Sequence, residues 1–258
     1  LVGTGSTSGS NPHPTVAVYG DPETVPDGGT LQKRMEIELP DTDGVNLAVP
    51  TLDEKIVAIG SNDSGWDSRR IFVIEAENGQ LVVTSEVAAP EMTGLFGWSE
   101  VTPDNRVIIP NGNGLWSFDP NTGALEQLLD EPGQTFTSAE SFLDGEGNLN
   151  VLAVGQTPSS QDDDFLYHIR QEGNEYVIVT QYMLPADVYS NVMRLNLSNS
   201  KLVLSNAVLA KAVPFDKNNL QNLGSLLANP EALMDFDPEN FSSIQFAGHS
   251  DSLQKSVV

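Results

Sequence analysis

Five copies of one strand pattern run through this chain of 258 residues, and the fifth copy is split between the two ends. In each continuous copy a polar turn leads into a short apolar strand. The residues that end these four turns are Lys55, Arg106, Asn148 and Lys201. They are 51, 42 and 53 positions apart. A period in the forties to low fifties predicts a series of small antiparallel sheets, one for each copy.

Each turn also has the neighbours that a four-stranded sheet requires. A strand with small residues precedes it, and in the first three copies a hairpin follows, with turns at 78–79, 119–123 and 173–174. Asn-Gly and Asp-Pro-Asn-Thr-Gly steps favour hairpins because such turns need positive φ. The period and the hairpins together predict a β-propeller. Its four continuous blades are predicted at about residues 44–88, 94–130, 136–184 and 189–228.

The two ends supply half a blade each. We interpret residues 15–40 as the third and fourth strands of a blade, and residues 240–258 as its first and second strands. Joined side by side they complete one blade, and this closure removes the exposed edges of an open array. The predicted fold is therefore an all-β, five-bladed β-propeller over residues 15–258. The alternative is a fragment of a six- to eight-bladed propeller.

Outside the repeats the chain offers few further elements. Residues 1–14 are small and mostly uncharged, so we interpret them as a flexible tether. Residues 220–227 fit the last strand of the fourth blade, and residues 230–234 are the one segment predicted to form a turn or two of helix. The sequence has no apolar run that could span a bilayer, which is compatible with a lipid-anchored or secreted precursor.

Composition limits the location and the partners. The chain has 36 acidic and 12 basic side chains and a net charge of −24, which repels phosphate backbones and excludes nucleic acid as an expected partner. The alternative interpretation of this charge is that it keeps the protein soluble. There is no cysteine, and Asn, Ser, Thr and Gly are abundant. We therefore predict an extracytoplasmic location: secreted, periplasmic or on the cell surface.

Long loops at one end of the predicted blades are the expected binding surface. Such loops combine aromatic and charged residues on a rigid scaffold, where binding residues concentrate. The alternative is that the tryptophan anchors its own loop and that the arginines pair with nearby acids. The long-loop face consists of Trp66, Asp67, Arg69, Arg70, Tyr189 and residues 162–164.

Calcium is the only cofactor that the sequence suggests. Asp162, Asp163 and Asp164 offer the oxygen ligands that calcium takes, although a solvated loop explains them as well. The run Asp144-x-Glu146-x-Asn148 is a weaker candidate, because it also has the composition of an ordinary turn. The three histidines have no ligand-like spacing, so transition-metal chemistry is poorly supported.

Two glutamates are the candidate catalytic residues. Glu100 and Glu140 lie on the predicted inner strands of neighbouring blades, where they could form the carboxylate pair that glycoside hydrolysis uses. Trp98, two residues before Glu100, would share its face and could stack on a sugar ring. A one-residue error in strand phase would turn these side chains away, and lining of the channel is the alternative role. The sequence contains none of the G-x-S-x-G, H-E-x-x-H or Walker motifs.

One hairpin carries a family resemblance. Residues 115–125, with the turn Asp119-Pro120-Asn121-Thr122-Gly123, resemble the strand-turn-strand hairpin of secreted bacterial propellers of the YVTN and PQQ-like type. The resemblance is partial at residues 75–81 and faint elsewhere. It implies the propeller fold and an extracytoplasmic location, and it carries no catalytic residue to this chain.

Three functions follow as hypotheses. The first is a binding or interaction module that holds a protein or glycan partner on the long-loop face. The second is a calcium-assisted glycan-processing hydrolase or lyase that uses Glu100 and Glu140. The third is a structural subunit of a surface assembly.

Overall fold

The structure is a computed structural model of the chain. It describes residues 2–6, 13–20, 30–62, 68–94, 97–112, 114–157, 164–173, 175–185, 194–197, 201–205, 209–228, 231–235, 248–250 and 255–257. The protein is all-β, with several four-stranded antiparallel sheets. The chain divides into two compact units. Unit 1 comprises Leu1–Phe96, Asp104–Val107 and Ser117–Glu126, and unit 2 comprises Gly97–Pro103, Ile108–Trp116 and Gln127–Val258.

The first sheet of unit 1 has three strands, β1 (Val2–Ser6), β2 (Pro14–Tyr19) and β3 (Lys33–Glu38), in that order. β1 pairs antiparallel with β2, from Val2 opposite Val18 to Ser6 opposite Pro14. The segment interpreted as a tether thus contains a strand. The Val-x-Thr-x-Ser alternation of residues 2–6 is short but compatible with strand pairing. The many small residues of this segment predict a flexible tether, and composition alone therefore does not indicate the strand. The predicted composite blade places a C-terminal strand beside β2, on the side away from β3. In the structure β1 pairs with β2 on that side.

The second sheet of unit 1 runs β4 (Gly44–Pro50), β5 (Ile56–Asn62), β6 (Ser68–Glu77) and β7 (Gln80–Ala88). These strands lie within the first predicted blade. β5 is a run of apolar residues because both of its faces are covered. Asn78 and Gly79 close the β6–β7 hairpin with φ of 52° and 80°, as the Asn-Gly step predicts.

One core cluster holds unit 1 together. Alternate residues of β5 and β6 face the first sheet, because side chains on a strand alternate between its faces. The buried members of this cluster are Val16, Leu39, Ile56, Ala58, Phe72, Ile74 and Leu81.

The next sheet has the order β11-β10-β9-β8 and contributes residues to both units. Its strands are β8 (Glu100–Val101), β9 (Val107–Asn111), β10 (Gly114–Phe118) and β11 (Leu125–Leu129). The turn between β10 and β11 is organised by Asp119, whose carboxylate accepts hydrogen bonds from the Asn121 N–H and the Thr122 hydroxyl, both at 2.8 Å. Gly123 completes the turn with a φ of 74°. This Asp-x-x-Thr-Gly turn is the one that carries the family resemblance.

Unit 2 contains a regular four-stranded sheet of β12 (Thr135–Leu143), β13 (Leu149–Gln156), β14 (Asp164–Glu172) and β15 (Glu175–Leu184). These bounds agree closely with the third predicted blade. One face of β13 and β14 packs on the residues that follow in the chain, and its buried members include Leu152, Val154 and Leu166. The opposite face packs around Phe136 and Tyr167.

The last four-stranded sheet of unit 2 runs β16 (Arg194–Leu197), β17 (Lys201–Ser205), β18 (Leu209–Pro214) and β19 (Glu231–Asp235). A short helix, α1 (Leu223–Leu227), precedes β19. The structure therefore reverses two predictions, since residues 220–227 are not a strand and residues 231–235 are not helical. Leu220, Leu223 and Leu227 recur at helical spacing, and the last two are buried. Four leucines in eight residues also fit a buried strand, so composition alone does not distinguish the two structures here.

The described C-terminal residues form β20 (Gly248–Ser250) and β21 (Lys255–Val257), which pair with each other as a two-stranded sheet. Among the described residues these strands have no pairing with β2. The composite fifth blade therefore stays a prediction.

Candidate functional site

The first strands of two consecutive sheets run side by side in unit 2. Trp98, just before β8, forms a parallel bridge with Ser138 of β12. Its N–H donates to the Thr137 carbonyl at 2.8 Å, and its carbonyl accepts from the Ala139 N–H at 3.3 Å. Because the two segments are parallel, positions two residues beyond the bridge are level with each other. Glu100 and Glu140 occupy these positions.

The structure brings the two predicted glutamates into contact. The Glu100 and Glu140 side chains are hydrogen-bonded to each other. Ser141 adds two donors to Glu100, its backbone N–H and its hydroxyl, with the hydroxyl 3.3 Å from Oε1 of Glu100. Two ionised carboxylates can only accept, so a hydrogen bond between them requires one shared proton.

Burial decides which protonation state the pair adopts. Removal from water disfavours the charged form and raises the pKa of Glu100 to about 7, although the hydrogen bonds from Glu140 and Ser141 act in the opposite direction. Glu100 is therefore mostly protonated below about pH 7 and loses its proton as the pH rises through that value. Such a pair can donate a proton and accept hydrogen bonds from hydroxyl groups.

Trp98 lies next to this pair along the chain and presents an aromatic surface. Its side chain is 42% exposed, a large fraction for a tryptophan in a β protein of this kind. The other described tryptophan, Trp116, is 5% exposed and belongs to the interior. Trp98 is therefore the described tryptophan that a ligand can reach.

The pKa of Glu100 predicts a pH dependence of stability. The folded protein keeps this proton at pH values at which an ordinary glutamate, with a pKa of 4.5, has released it. The stabilising contribution is complete below about pH 4.5 and is lost as the pH rises through about 7. We expect Glu100→Gln to remove this decline and to raise the free energy of unfolding at pH 8 by roughly 1–3 kcal/mol.

Urea unfolding at pH 5, 6, 7 and 8 measures this effect. The control is Glu38→Gln, which makes the same charge change at an exposed position of β3. Parallel pH curves for Glu100→Gln and the unmodified protein would show that Glu100 titrates as an ordinary glutamate.

Most of the long-loop face lies outside the described residues. This applies to Trp66, Asp67, Tyr189, Asp162 and Asp163, whose predicted roles in binding therefore stay predictions. Arg69, Arg70 and Asp164 are described, and their surroundings can be compared with the prediction.

Arg69 and Arg70 have contrasting positions although they are adjacent on β6. Arg69 is 1% exposed and donates from Nη2 to the Gly94 carbonyl. This burial differs from the exposed position expected of a ligand-binding residue. Arg70 is half-buried and pairs with Glu86 at 2.7 Å and with Asp41 at 3.9 Å. Pairing with nearby acids was the alternative interpretation of these arginines, and it describes Arg70.

Two of the three predicted metal ligands, Asp162 and Asp163, lie outside the described residues, so the calcium site stays a prediction. Asp164 is buried, and its Oδ1 accepts from the Thr157 N–H at 3.2 Å. Asp144 accepts from the N–H groups of Glu146 and Asn148, both at 2.9 Å, as the aspartate of an ordinary turn does. Among the described residues no three His, Asp or Glu side chains are grouped so that they could hold a metal ion.

Two features of the site were missed at the level of sequence. Ser141 donates hydrogen bonds to Glu100. Its position directly after Glu140 in the sequence could have indicated that it lies close to the pair. A polar network of Asp144, Asn150 and His168 also lies in unit 2. Only the register of β13 and β14 brings Asn150 and His168 together, so spacing along the chain could not have found them.

Comparisons with known proteins address the fold. No family model matches the chain, and no curated protein matches its sequence. Among solved structures, a protein from Lactobacillus plantarum aligns with a TM-score of 0.50 and 16% identity, over 85% of this chain and 64% of that one. The exo-β-1,3-galactanase of Phanerochaete chrysosporium aligns with a TM-score of 0.47 and 9% identity, over 89% of this chain and 62% of that one.

Virginiamycin B lyase from Staphylococcus aureus aligns with a TM-score of 0.38 and 12% identity, over 83% of this chain and 81% of that one. The chain spans less than two thirds of the Lactobacillus protein and of the galactanase. None of the described helices has the length and apolar character needed to cross a membrane. The repeated four-stranded antiparallel sheets, together with the likeness of fold to the Lactobacillus protein, support a β-propeller fold for this chain.

Proposed function

We propose that this β-propeller is an extracytoplasmic carbohydrate-binding module whose ligand contacts Trp98, Glu100 and Glu140. The observation that carries the proposal is the hydrogen-bonded glutamate pair next to an exposed tryptophan on the same segment. The acidic surface and the absence of cysteine support the location. The five-bladed ring and a calcium ion at residues 162–164 remain part of the proposal.

The chemistry of the three side chains favours a sugar. The face of a tryptophan packs against the C–H groups of a sugar ring, and acidic side chains hydrogen-bond to its hydroxyl groups. A pair that holds one proton can both donate to and accept from neighbouring hydroxyls. An anionic ligand would be repelled by the remaining charge of the pair and by the net charge of the chain. Neutral oligosaccharides are therefore the proposed class.

Binding of neutral oligosaccharides tests the proposal. We expect Trp98→Ala to weaken the binding of a neutral β-linked oligosaccharide by about tenfold, because an aromatic contact contributes roughly 1 kcal/mol or more. Glu140→Gln should weaken it as well, because the amide replaces one acceptor oxygen. Calorimetry against a panel of neutral and acidic oligosaccharides measures the affinities. Leu52→Ala, which removes an exposed apolar side chain of unit 1, is the control.

Two results would contradict the proposal. One is the absence of binding to every oligosaccharide of the panel. The other is binding that Trp98→Ala and Glu140→Gln leave unchanged, which would place the sugar elsewhere, with the long-loop face as the next surface to test.

A second function, glycan hydrolysis, is favoured by the pKa of Glu100. A carboxyl group that keeps its proton near neutral pH can protonate the leaving oxygen of a glycoside. Glycosidases hold their two carboxyl groups roughly 5–10 Å apart, so hydrolysis by this pair would require Glu100 and Glu140 to separate when a glycoside binds. Mass spectrometry of the oligosaccharides after incubation separates the two functions, since a binding module leaves them intact.

A further inference from the structure

A second polar site lies in unit 2, at one end of the β12–β15 sheet. Along one face of this sheet the side chains change from apolar to polar. Leu152 and Leu166 lie on the apolar part, and the alternate positions of β13 and β14 beyond them carry Asn150, His168 and Arg170. An open cleft of about 350 Å³ begins there, and the turns at 144–148 and 216–219 form its walls. These turns touch, since a Cβ added at Gly145 would lie 2.7 Å from Oδ1 of Asn218.

The base of this cleft is a fixed chain of hydrogen bonds. Asn150 is 2% exposed, and its Nδ2 donates to Asp144 at 3.2 Å and to the Asn148 carbonyl at 2.9 Å. Its Oδ1 is therefore an acceptor, and Nε2 of His168, 2.8 Å away, must donate to it. Burial and the charge of Arg170 lower the pKa of His168 to about 4, so its ring is neutral and its Nδ1 carries a lone pair.

The walls carry charges of both signs. Lys217 is exposed on one side and has no ion pair or hydrogen bond with any described residue. Arg170 lies nearby and contacts Glu172. Glu146 is exposed on the turn opposite, and the only described hydrogen bond of its carboxylate is a long one, 3.4 Å, from Nδ2 of Asn148. The lining of the cleft thus contains two acids, Asp144 and Glu146, and two bases, Arg170 and Lys217.

We propose that this cleft binds a small zwitterionic ligand, an α-amino acid or a molecule of that kind, with its carboxylate towards Lys217 and Arg170 and its ammonium group towards Glu146. The cleft has the volume of a small-molecule site. Its formal charge is balanced, which suits a ligand with no net charge. The hydrogen bonds that join Asp144, Asn150 and His168 hold the base of the cleft in place. This site is separate in sequence from Glu100 and Glu140 and does not depend on the carbohydrate proposal.

Titration with L-glutamine, monitored by amide signals of ¹⁵N-labelled protein, tests this proposal. We expect a weak site with a Kd of about 1 mM. The amide shifts, centred on Gly145, Glu146 and Asn218, should therefore saturate at about 10 mM L-glutamine. Lys217→Met should raise the Kd at least about tenfold, because it removes the cation of the cleft that has no ion pair among the described residues. Lys33→Met removes a lysine that already pairs with Glu36 in unit 1, and it should leave the Kd unchanged.

Acetate and ethylammonium serve as the two halves of the ligand. Weaker binding of both than of L-glutamine, together with a loss of affinity in Glu146→Gln, supports recognition of both charges. Acetate that binds as tightly as L-glutamine overturns the zwitterion, since Glu146 then contributes nothing. A lack of saturable shifts with L-glutamine, or equal affinities in Lys217→Met and Lys33→Met, overturns the site.

Discussion

Replacing Arg69 with alanine is expected to lower the free energy of unfolding by about 2–4 kcal/mol. The side chain is one of the largest that is fully buried, so truncation leaves a cavity inside unit 1. It also leaves the Gly94 carbonyl without the donor at Nη2. Burial lowers the pKa of Arg69, which indicates that the fold accommodates the charge at some cost. The contribution of this residue therefore comes from its volume and hydrogen bonding within unit 1.

Arg70 provides a matched control one residue away. It lies on the opposite face of β6, where its ion pair with Glu86 is partly exposed to water. Such pairs contribute about 0–1 kcal/mol, so Arg70→Ala should have a small effect. Urea unfolding of both variants at neutral pH makes the comparison. Equal losses for the two variants would contradict the buried position of Arg69.

A third variant separates volume from charge at this position. Arg69→Met keeps most of the side-chain volume and removes the buried charge, and an apolar side chain at this position avoids the cost of taking a charge out of water. We expect it to be more stable than Arg69→Ala. A methionine variant as unstable as the alanine variant would assign the effect to the hydrogen bonds instead of the cavity.

The second large effect is expected at Gly97, where the segment before β8 meets β12. A Cβ at this position would lie 2.3 Å from the Thr137 carbonyl oxygen and 2.8 Å from its Cα. These are backbone atoms, and the same carbonyl accepts the hydrogen bond from Trp98, so the clash cannot be relieved by a side-chain rotation. We expect Gly97→Ala to lower the free energy of unfolding by roughly 1–3 kcal/mol or more.

Gly97→Ala should also alter the candidate site. If the parallel contact opens, Glu100 moves away from Glu140, and the decline of stability between pH 4.5 and 7 becomes smaller. Gly44→Ala is the control, because β4 offers open space around that Cβ and a strand glycine gains from the substitution through the unfolded state. Unfolding curves at pH 5 and pH 8 provide both readouts. Similar behaviour of the two variants would show that the contact between β8 and β12 is looser than described.

Local chemistry explains what could be predicted from the sequence. The hairpin at Asn78-Gly79 and the Asp119 turn were located correctly because their residues favour positive φ and side-chain hydrogen bonds within four positions. The strands of the first and third predicted blades also have nearly the predicted bounds, since their apolar runs are flanked by strong turns. Where the turn lacked glycine, after β18, the prediction failed and a helix was taken for a strand.

The closeness of the two glutamates was predicted from the sequence, whereas their hydrogen bonding was not, and their catalytic role stays a prediction. The positions of Glu100 and Glu140 in consecutive repeats predicted that they could meet, and the parallel alignment of Trp98 with Ser138 brings them together. Their hydrogen bond and the support from Ser141 could not be predicted, because a shift of one residue in either segment would turn one carboxylate away.

The sequence by itself determined that this protein is built from repeated antiparallel β-sheets with particular hairpins, because strand alternation and turn conformation depend on neighbours within a few residues. Only the tertiary structure decided that Arg69 is buried while Arg70 pairs at the surface, that Glu100 contacts Glu140, and that Asn150 holds His168. Each of these depends on which face a strand presents and on which strand lies beside it. Both are set by pairing between segments far apart in the chain, and nothing in the local sequence encodes them.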